Sequence, residues 1–229
     1  GLAVNAEYSP DVVLRDNILR GYESPPGIFA ESFALSGAND AQVLGNVFYG
    51  NITFAYGSAL FAQNIVLFTS GQTVFIYGVT LELVNNVLLD FYQLRVYNSA
   101  QLRVVNNILR ATTRVLNLDS GTGIELRNNI LLAPSCIVYF GGACNAQTVA
   151  DLACSWPGCL GLSDNIDDDP LFVNEVQENF HLLPGSPAID AGTEPQLEQD
   201  LEDLQFDIDG DRRPLGTTGW DIGIDEFVP

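Results

Sequence analysis

Lysine and methionine are missing from the sequence, and histidine occurs once, as His181. Nine arginines stand against 29 acids, a formal net charge of −20. A surface of that sign repels nucleic acid and anionic membranes, so neither is an expected partner. The charge serves solubility and suits a salty or calcium-rich medium. The apolar runs are short and interrupted, so no membrane span is expected. A basic-then-apolar start is also missing, so no signal peptide is expected. A chain that opens at Gly1 without methionine reads as a processed mature chain or an excised fragment. CxxC pairs of the zinc-site kind are absent. The four cysteines, Cys136, Cys144, Cys154 and Cys159, sit close together and read as one or two disulfides stapling a single loop. That places the protein outside the cytoplasm. Their pairing stays open.

What the sequence does have is a repeat. Leu102-Arg-Val-Val-Asn-Asn-Ile-Leu109 and Leu81-Glu-Leu-Val-Asn-Asn-Val-Leu88 are two copies, and Gly123 to Leu132 is a third. Asn17, Asn46, Asn64, Asn86, Asn107 and Asn129 anchor six copies, separated by 29, 18, 22, 21 and 22 residues. A near-constant period of about 20 residues is the mark of a solenoid. Such a unit is too short for a βαβ element, which needs ~30 residues, but it holds two or three short strands joined by turns. The leucine spacing differs from that of a leucine-rich repeat.

Aligned on the asparagine, the positions one after, three before and five before are apolar in every copy. The position four before is mixed, with Glu82, Arg103 and Glu125 in successive copies. This alternation predicts strands with one buried face. The alternating signs predict parallel, in-register stacking of neighbouring copies. A second strand is predicted in each coil, as in Thr73 to Gly78 and Gln93 to Asn98, ending in Gly, Asn or Asp at the turn. Gly21 to Gly27 reads as a loop insertion. The expected fold is therefore all-β, a right-handed parallel β-helix of about 20-residue coils with an irregular, acidic C-terminal cap. The organisation reads as coils over 1–132, a cysteine-bearing excursion over 133–163, and a last coil with a capping segment over 164–229. Within that segment Thr193 to Leu204 predicts a short helix, capped by Thr193, with Leu197, Leu201 and Leu204 on one face.

The tail carries motifs in a fixed order: Asp169-Pro-Leu-Phe172, Phe180-His-Leu-Leu-Pro-Gly-Ser-Pro-Ala-Ile-Asp-Ala-Gly192, Asp207-Ile-Asp-Gly-Asp-Arg-Arg-Pro214 and Asp221-Ile-Gly-Ile-Asp-Glu226. Together with the asparagine repeat they resemble bacterial parallel β-helix proteins of the pectate-lyase-like superfamily, of the choice-of-anchor Q domain type. Ile224 departs from the alanine usual there. The resemblance implies a secreted or surface-attached protein and assigns no activity.

Several side-chain sets are candidates for function. The asparagine column reads as a structural ladder satisfying backbone groups from coil to coil. Tyr56, Tyr77, Tyr97, Leu118 and Phe140 share a predicted column. Phe54, Phe75, Arg95, Leu116 and Val138 lie two residues earlier, and Val74, Ile76, Leu94 and Val96 form the opposite, core face. An outward tyrosine strip with Arg95 would be flat and suited to sugar rings, unless a loop covers it or it is an interior stack. Asp207, Asp209 and Asp211 alternate like the start of a calcium loop, which makes Ca²⁺ the cofactor expectation. The loop departs from the EF-hand pattern at Arg212 and Thr218. The competing reading is a cap in which Arg212 and Arg213 pair with Asp190, Asp221 or Glu226 to close the solenoid end. His181 reads as structural.

Catalysis is weighed against. Superfamily lyases use Lys or Arg bases beside paired acids; here lysine is lacking and the arginines form no obvious cluster. Superfamily hydrolases carry a Gly-His-Gly and an Arg-x-Lys, both absent, and Asp167-Asp-Asp169 reads as a turn. The primary expectation is a secreted or cell-surface structural or adhesive protein that self-assembles through an open solenoid end. The alternatives are a carbohydrate-binding module, or a polysaccharide lyase or hydrolase acting on acidic glycans.

Overall fold

The computed structural model describes residues 4–20, 31–68, 72–119, 121–197, 202–215 and 219–229. The expected Gly21–Gly27 loop lies outside the described residues. The chain is an all-β solenoid of about five turns, with roughly 22 residues per coil.

Each coil has three walls. The first is a parallel sheet running through Val4–Glu7, Glu31–Leu44, Asn51–Ala62, Thr73–Val84, Gln93–Tyr97, Arg114–Leu118 and Cys136–Phe140. In the early coils these strands are long and run through a corner into the second wall. Gln101–Val105 pairs with the far half of Thr73–Val84, followed by Gly123–Arg127 and Cys159–Ser163. The third wall stacks Ile18–Arg20, Val47–Tyr49, Ile65–Leu67, Val87–Phe91, Ile108–Ala111 and Ile130–Leu132, all parallel. Glu82, Arg103 and Glu125 stand side by side, with Arg103 within 3.5 Å of both carboxylates.

The corner between the second and third walls explains the paired asparagines. The first residue of each pair adopts a left-handed backbone. This holds for Asp16, Gly45, Gln63, Asn85, Asn106, Asn128 and Asp164, with φ between +50° and +65°. Asn, Asp and Gly tolerate that conformation best. The second residue turns inward and forms a ladder. The backbone N–H of each ladder asparagine donates to the side-chain oxygen of the next, at 2.9 Å for Asn17→Asn46, Asn46→Asn64, Asn64→Asn86, Asn86→Asn107 and Asn107→Asn129. Asn165 extends the series, accepting from Asn129 at 3.1 Å. The amide NH₂ groups donate to main-chain carbonyls, as Asn107 does to Leu83 and Val105. Asn46, Asn64, Asn86, Asn107 and Asn129 are fully buried.

The interior is apolar and interlocked. Phe33, Phe48, Phe54 and Phe61 pack with ring centroids 5.4 to 5.9 Å apart. The first coil is less enclosed. Val4, Ala6, Leu14 and Leu19 are only partly buried, whereas their register partners Phe33, Leu35, Val43 and Phe48 are at most 1% exposed.

Residues 133–163 begin and end within the solenoid, so only the middle of the expected excursion leaves it. Cys136–Phe140 extends the first wall and Cys159–Ser163 the second. Disulfides join Cys136 to Cys144 and Cys154 to Cys159.

The C-terminal segment caps a flank, which differs from the expected closure of the solenoid end. The residue after each ladder asparagine points outward from the third wall, and in the later coils the tail covers it. Val87, Leu89, Ile108 and Ile130 pack against Phe172, Phe180, Leu182, Ala188, Ile222 and Ile224. Where the tail does not reach, Ile18 is 67% exposed. The left-handed residues of the corner hold the tail by polar contacts. Asn106 exchanges hydrogen bonds with the Thr193 backbone, and Asn128 donates to the Ala191 carbonyl. Gln63 donates to the Phe206 carbonyl. Thr193 is thus tied to the corner in place of capping a helix. Residues 193–197 are not helical, Glu202–Gln205 is one 3₁₀ turn, and Leu201 lies outside the described residues. Leu197 and Leu204 still share a target, packing against Leu44, Ala62 and Val84.

Inside the tail Arg213 is buried and donates to Glu226 at 3.0 Å and to the Gly223 carbonyl at 3.0 Å. Burial pulls its guanidinium below the ordinary value and pushes the Glu226 carboxyl up. Arg212 is exposed and makes no such pair.

Candidate functional site

The first wall presents an outward row of aromatic and basic side chains. Strand alternation puts Val74, Ile76, Leu94 and Val96 inside and Phe75, Tyr77, Arg95 and Tyr97 outside. Tyr77 and Tyr97 are direct register partners, with ring centroids 4.7 Å apart. Tyr56 arrives differently. Ala55, not Tyr56, is the partner of Tyr77, and Tyr56 takes a left-handed backbone with φ of +56°. The following Gly57 has φ of +86°, and a Cβ there would sit 1.8 Å from the Ala38 carbonyl oxygen. That corner swings Tyr56 outward until its ring meets Tyr77 at 5.0 Å; it is 47% exposed. A hydrogen bond with Tyr77 raises the pKa of the Tyr56 phenol.

The rings meet edge to face, at 85° and 71°, so the strip is ridged where a flat one was expected. Edge-to-face contact is the arrangement ring quadrupoles favour. The rest of the predicted column does not belong to it. Leu118 pairs with Val96 and Phe140 with Leu118, which puts both on the inward column of Ile76 and Phe54. Phe54, Leu116 and Val138 are likewise core. The true outward neighbours of Phe75 and Arg95 are Asn117 and Tyr139. Arg95 is exposed, with its guanidinium 5.5 Å from the Tyr97 ring centre. Arg114 lies 3.9 Å over Tyr139. Spacing identifies Tyr77, Tyr97 and Arg95, whereas Asn117, Tyr139 and Arg114 emerge only once the register is known.

The structure does not gather Asp207, Asp209 and Asp211 into one ligand set. Asp207 is buried, and its Oδ1 accepts the N–H groups of Asp209 and Asp211 at 2.9 and 2.8 Å. Its Oδ2 accepts the N–H of Glu226 at 3.0 Å. Its carboxylate therefore organises the turn. The Asp209 side chain points away, to His181, with Nε2 to Oδ2 at 2.5 Å. Two members of the acidic triplet serve backbone groups: Asp167 accepts the Val149 N–H from 18 residues away, and Asp169 accepts the Leu171 N–H in a local turn.

Compared with family models, curated proteins and solved structures, the chain matches none.

Proposed function

We propose that the chain is a secreted or cell-surface adhesive β-solenoid that binds polysaccharide along the aromatic strip of its first wall. The observation that carries this reading is the contact chain Tyr56–Tyr77–Tyr97, set beside Arg95 on an outward wall. Ring faces take sugar C–H surfaces, while phenol hydroxyls and guanidinium N–H groups meet sugar oxygens. Arg95 and Arg114 both lie on this wall of a protein with net charge −20, so an acidic glycan would meet local positive charge here. Two disulfides support an oxidising, extracellular setting. The order of tail motifs supports a choice-of-anchor Q kinship, and with it a bacterial surface location. A glycan array tests the reading. The wild-type chain should bind, and a Y56A/Y77A/Y97A variant with an unchanged melting profile should lose that binding. A triple variant that binds as well as wild type sinks it.

A second reading is self-association through the first coil. It is favoured by the half-buried inward side chains Val4, Ala6, Leu14 and Leu19 at that end of the core. Packing a second copy against this coil would bury them. Sedimentation showing monomers at every concentration would remove this reading.

A further inference from the structure

The tail brings the single histidine to two carboxylates. We propose that His181, Asp209 and Asp225 form a binding site for one divalent first-row transition ion, with zinc as its representative.

The argument begins with the orientation of the imidazole. His181 lies on the strand Asn179–Leu182. Its backbone N–H donates to Asn179 Oδ1 at 3.2 Å, which fixes the end of that amide facing the ring. The same oxygen lies 2.5 Å from Nδ1. An amide oxygen only accepts, so Nδ1 carries the proton. Nε2 faces Asp209 Oδ2 at 2.5 Å and Asp225 Oδ1 at 4.0 Å, so without an ion it donates its own proton to Asp209, and a bound ion takes the place of that proton. A histidine clamped at one nitrogen and presenting the other is the usual posture of a metal ligand.

The carboxylates are held in the same way. Asp225 is buried, with its side chain 6% exposed, and its Oδ2 accepts the Leu182 N–H at 2.9 Å. That leaves Oδ1 turned toward Nε2. Asp209 sits in the Asp207–Asp211 turn, beyond the buried Asp207, with its side chain 51% exposed, so it can adjust. One donor atom from each residue lies within 4.8 Å of the others. Tetrahedral zinc with bonds of about 2.0–2.2 Å separates its donors by about 3.3–3.6 Å. The Asp225–His181 pair is within an ångström of that spacing, and Asp209 reaches it by moving outward.

The donor set decides the ion. Calcium and magnesium take oxygen ligands, whereas imidazole suits zinc and its neighbours. Three protein donors leave further positions open on the solvent side for water or a ligand group.

The experiment uses the untagged chain, because a polyhistidine tag would compete. The protein is stripped with chelator, loaded with zinc and gel-filtered, and its zinc content is measured. Cobalt substitution and imidazole NMR report on the ligands, and one histidine gives one imidazole spin system. Wild type should retain one zinc per chain, with Nε2 shifted and the Nδ1 proton kept. His181→Gln and Asp209→Asn should each weaken binding by about 10-fold or more. Asp209→Asn changes an exposed side chain, so it tests the site even if the His181 variant folds poorly. Excess calcium should not displace the ion. The proposal is overturned if wild type retains no zinc, if both variants bind as wild type does, or if calcium displaces zinc.

Discussion

Asn107 offers one oxygen to two groups of Asn86, accepting its backbone N–H at 2.9 Å and its side-chain NH₂ at 2.8 Å. The Asn107 NH₂ in turn reaches Leu83 O, Val105 O and Asn129 Oδ1. Both residues are fully buried. Asn107→Ala leaves several of these groups without partners in a dry interior, at about 1–3 kcal/mol each. We expect a net loss of about 3 kcal/mol, seen as a melting temperature lowered by roughly 6–12 °C. Asn107→Asp keeps the shape but turns an anion toward carbonyl oxygens, and should be worse at neutral pH than the alanine variant. Calorimetry of the two variants checks the order; alanine worse than aspartate would contradict it.

Glu226 faces the Arg213 guanidinium at 3.0 Å, and both side chains are almost wholly buried. Glu226→Gln strands a buried cation, at a cost of about 3–5 kcal/mol. The loss should appear first as release of the tail from the third wall. Binding of a hydrophobic dye to the uncovered face around Val87, Ile108 and Ile130 measures it. No increase in dye binding, with an unchanged melt, would refute this.

Burial raises the Asp221 carboxyl above its ordinary value of 3.8, although the N–H groups of Asp190 and Phe227 donate to it. The folded chain therefore holds this proton more tightly than the unfolded chain. Its contribution to stability is fully present below pH 3.8 and is lost as pH rises through the folded value. Stability should climb as the pH falls from neutral toward the ordinary carboxyl range. High salt screens the surface repulsion, so a climb that persists there comes from buried groups. A melting temperature that falls steadily over that range in high salt would contradict it.

The two disulfides close short loops, with sequence separations of 8 and 5. In the chain-entropy account each contributes only about 2–3 kcal/mol, and does so locally. Reduction should loosen residues 143–158 to hydrogen exchange while amides of Val104 and Leu126 stay protected. Global unfolding on reduction would show that the staple reaches further than its loop.

Much of the coil was legible because it rests on local repetition. The period, the alternating faces, the sign pattern of Glu82, Arg103 and Glu125 and the asparagine column are all properties of one coil and its neighbour. What was not legible depends on distant chain. The apolar column that includes Val87 and Ile108 reads as core from alternation alone, yet it points outward and is buried by distant tail residues such as Phe180, Ala188 and Ile222. Tyr56 falls outside the aromatic register because Asn51–Ala62 pairs with Thr73–Val84 one residue away from the Tyr-Gly alignment, from Ile52 onward, which puts Ala55 opposite Tyr77. Thr193 looked like a helix cap because its use by Asn106 joins residues 87 apart. The doubled asparagines were a missed signal, since one member of each pair turns the chain and, in the later coils, holds the tail.

The returning tail changes how the molecule should come apart. A repeat array in which each unit touches only its neighbours can fray coil by coil from either end. Here Glu175 grips Arg110 with both oxygens, Glu178 accepts from Tyr49, and Asp203 meets Arg15 across 188 residues of sequence. The last part of the chain is thereby splinted to the first, second and fifth coils at once. Loss of one coil therefore loosens a strap that the described coils from Arg15 to Arg110 share. Once the tail is released, the coils lose that shared strap and are left to fray as a plain repeat array does.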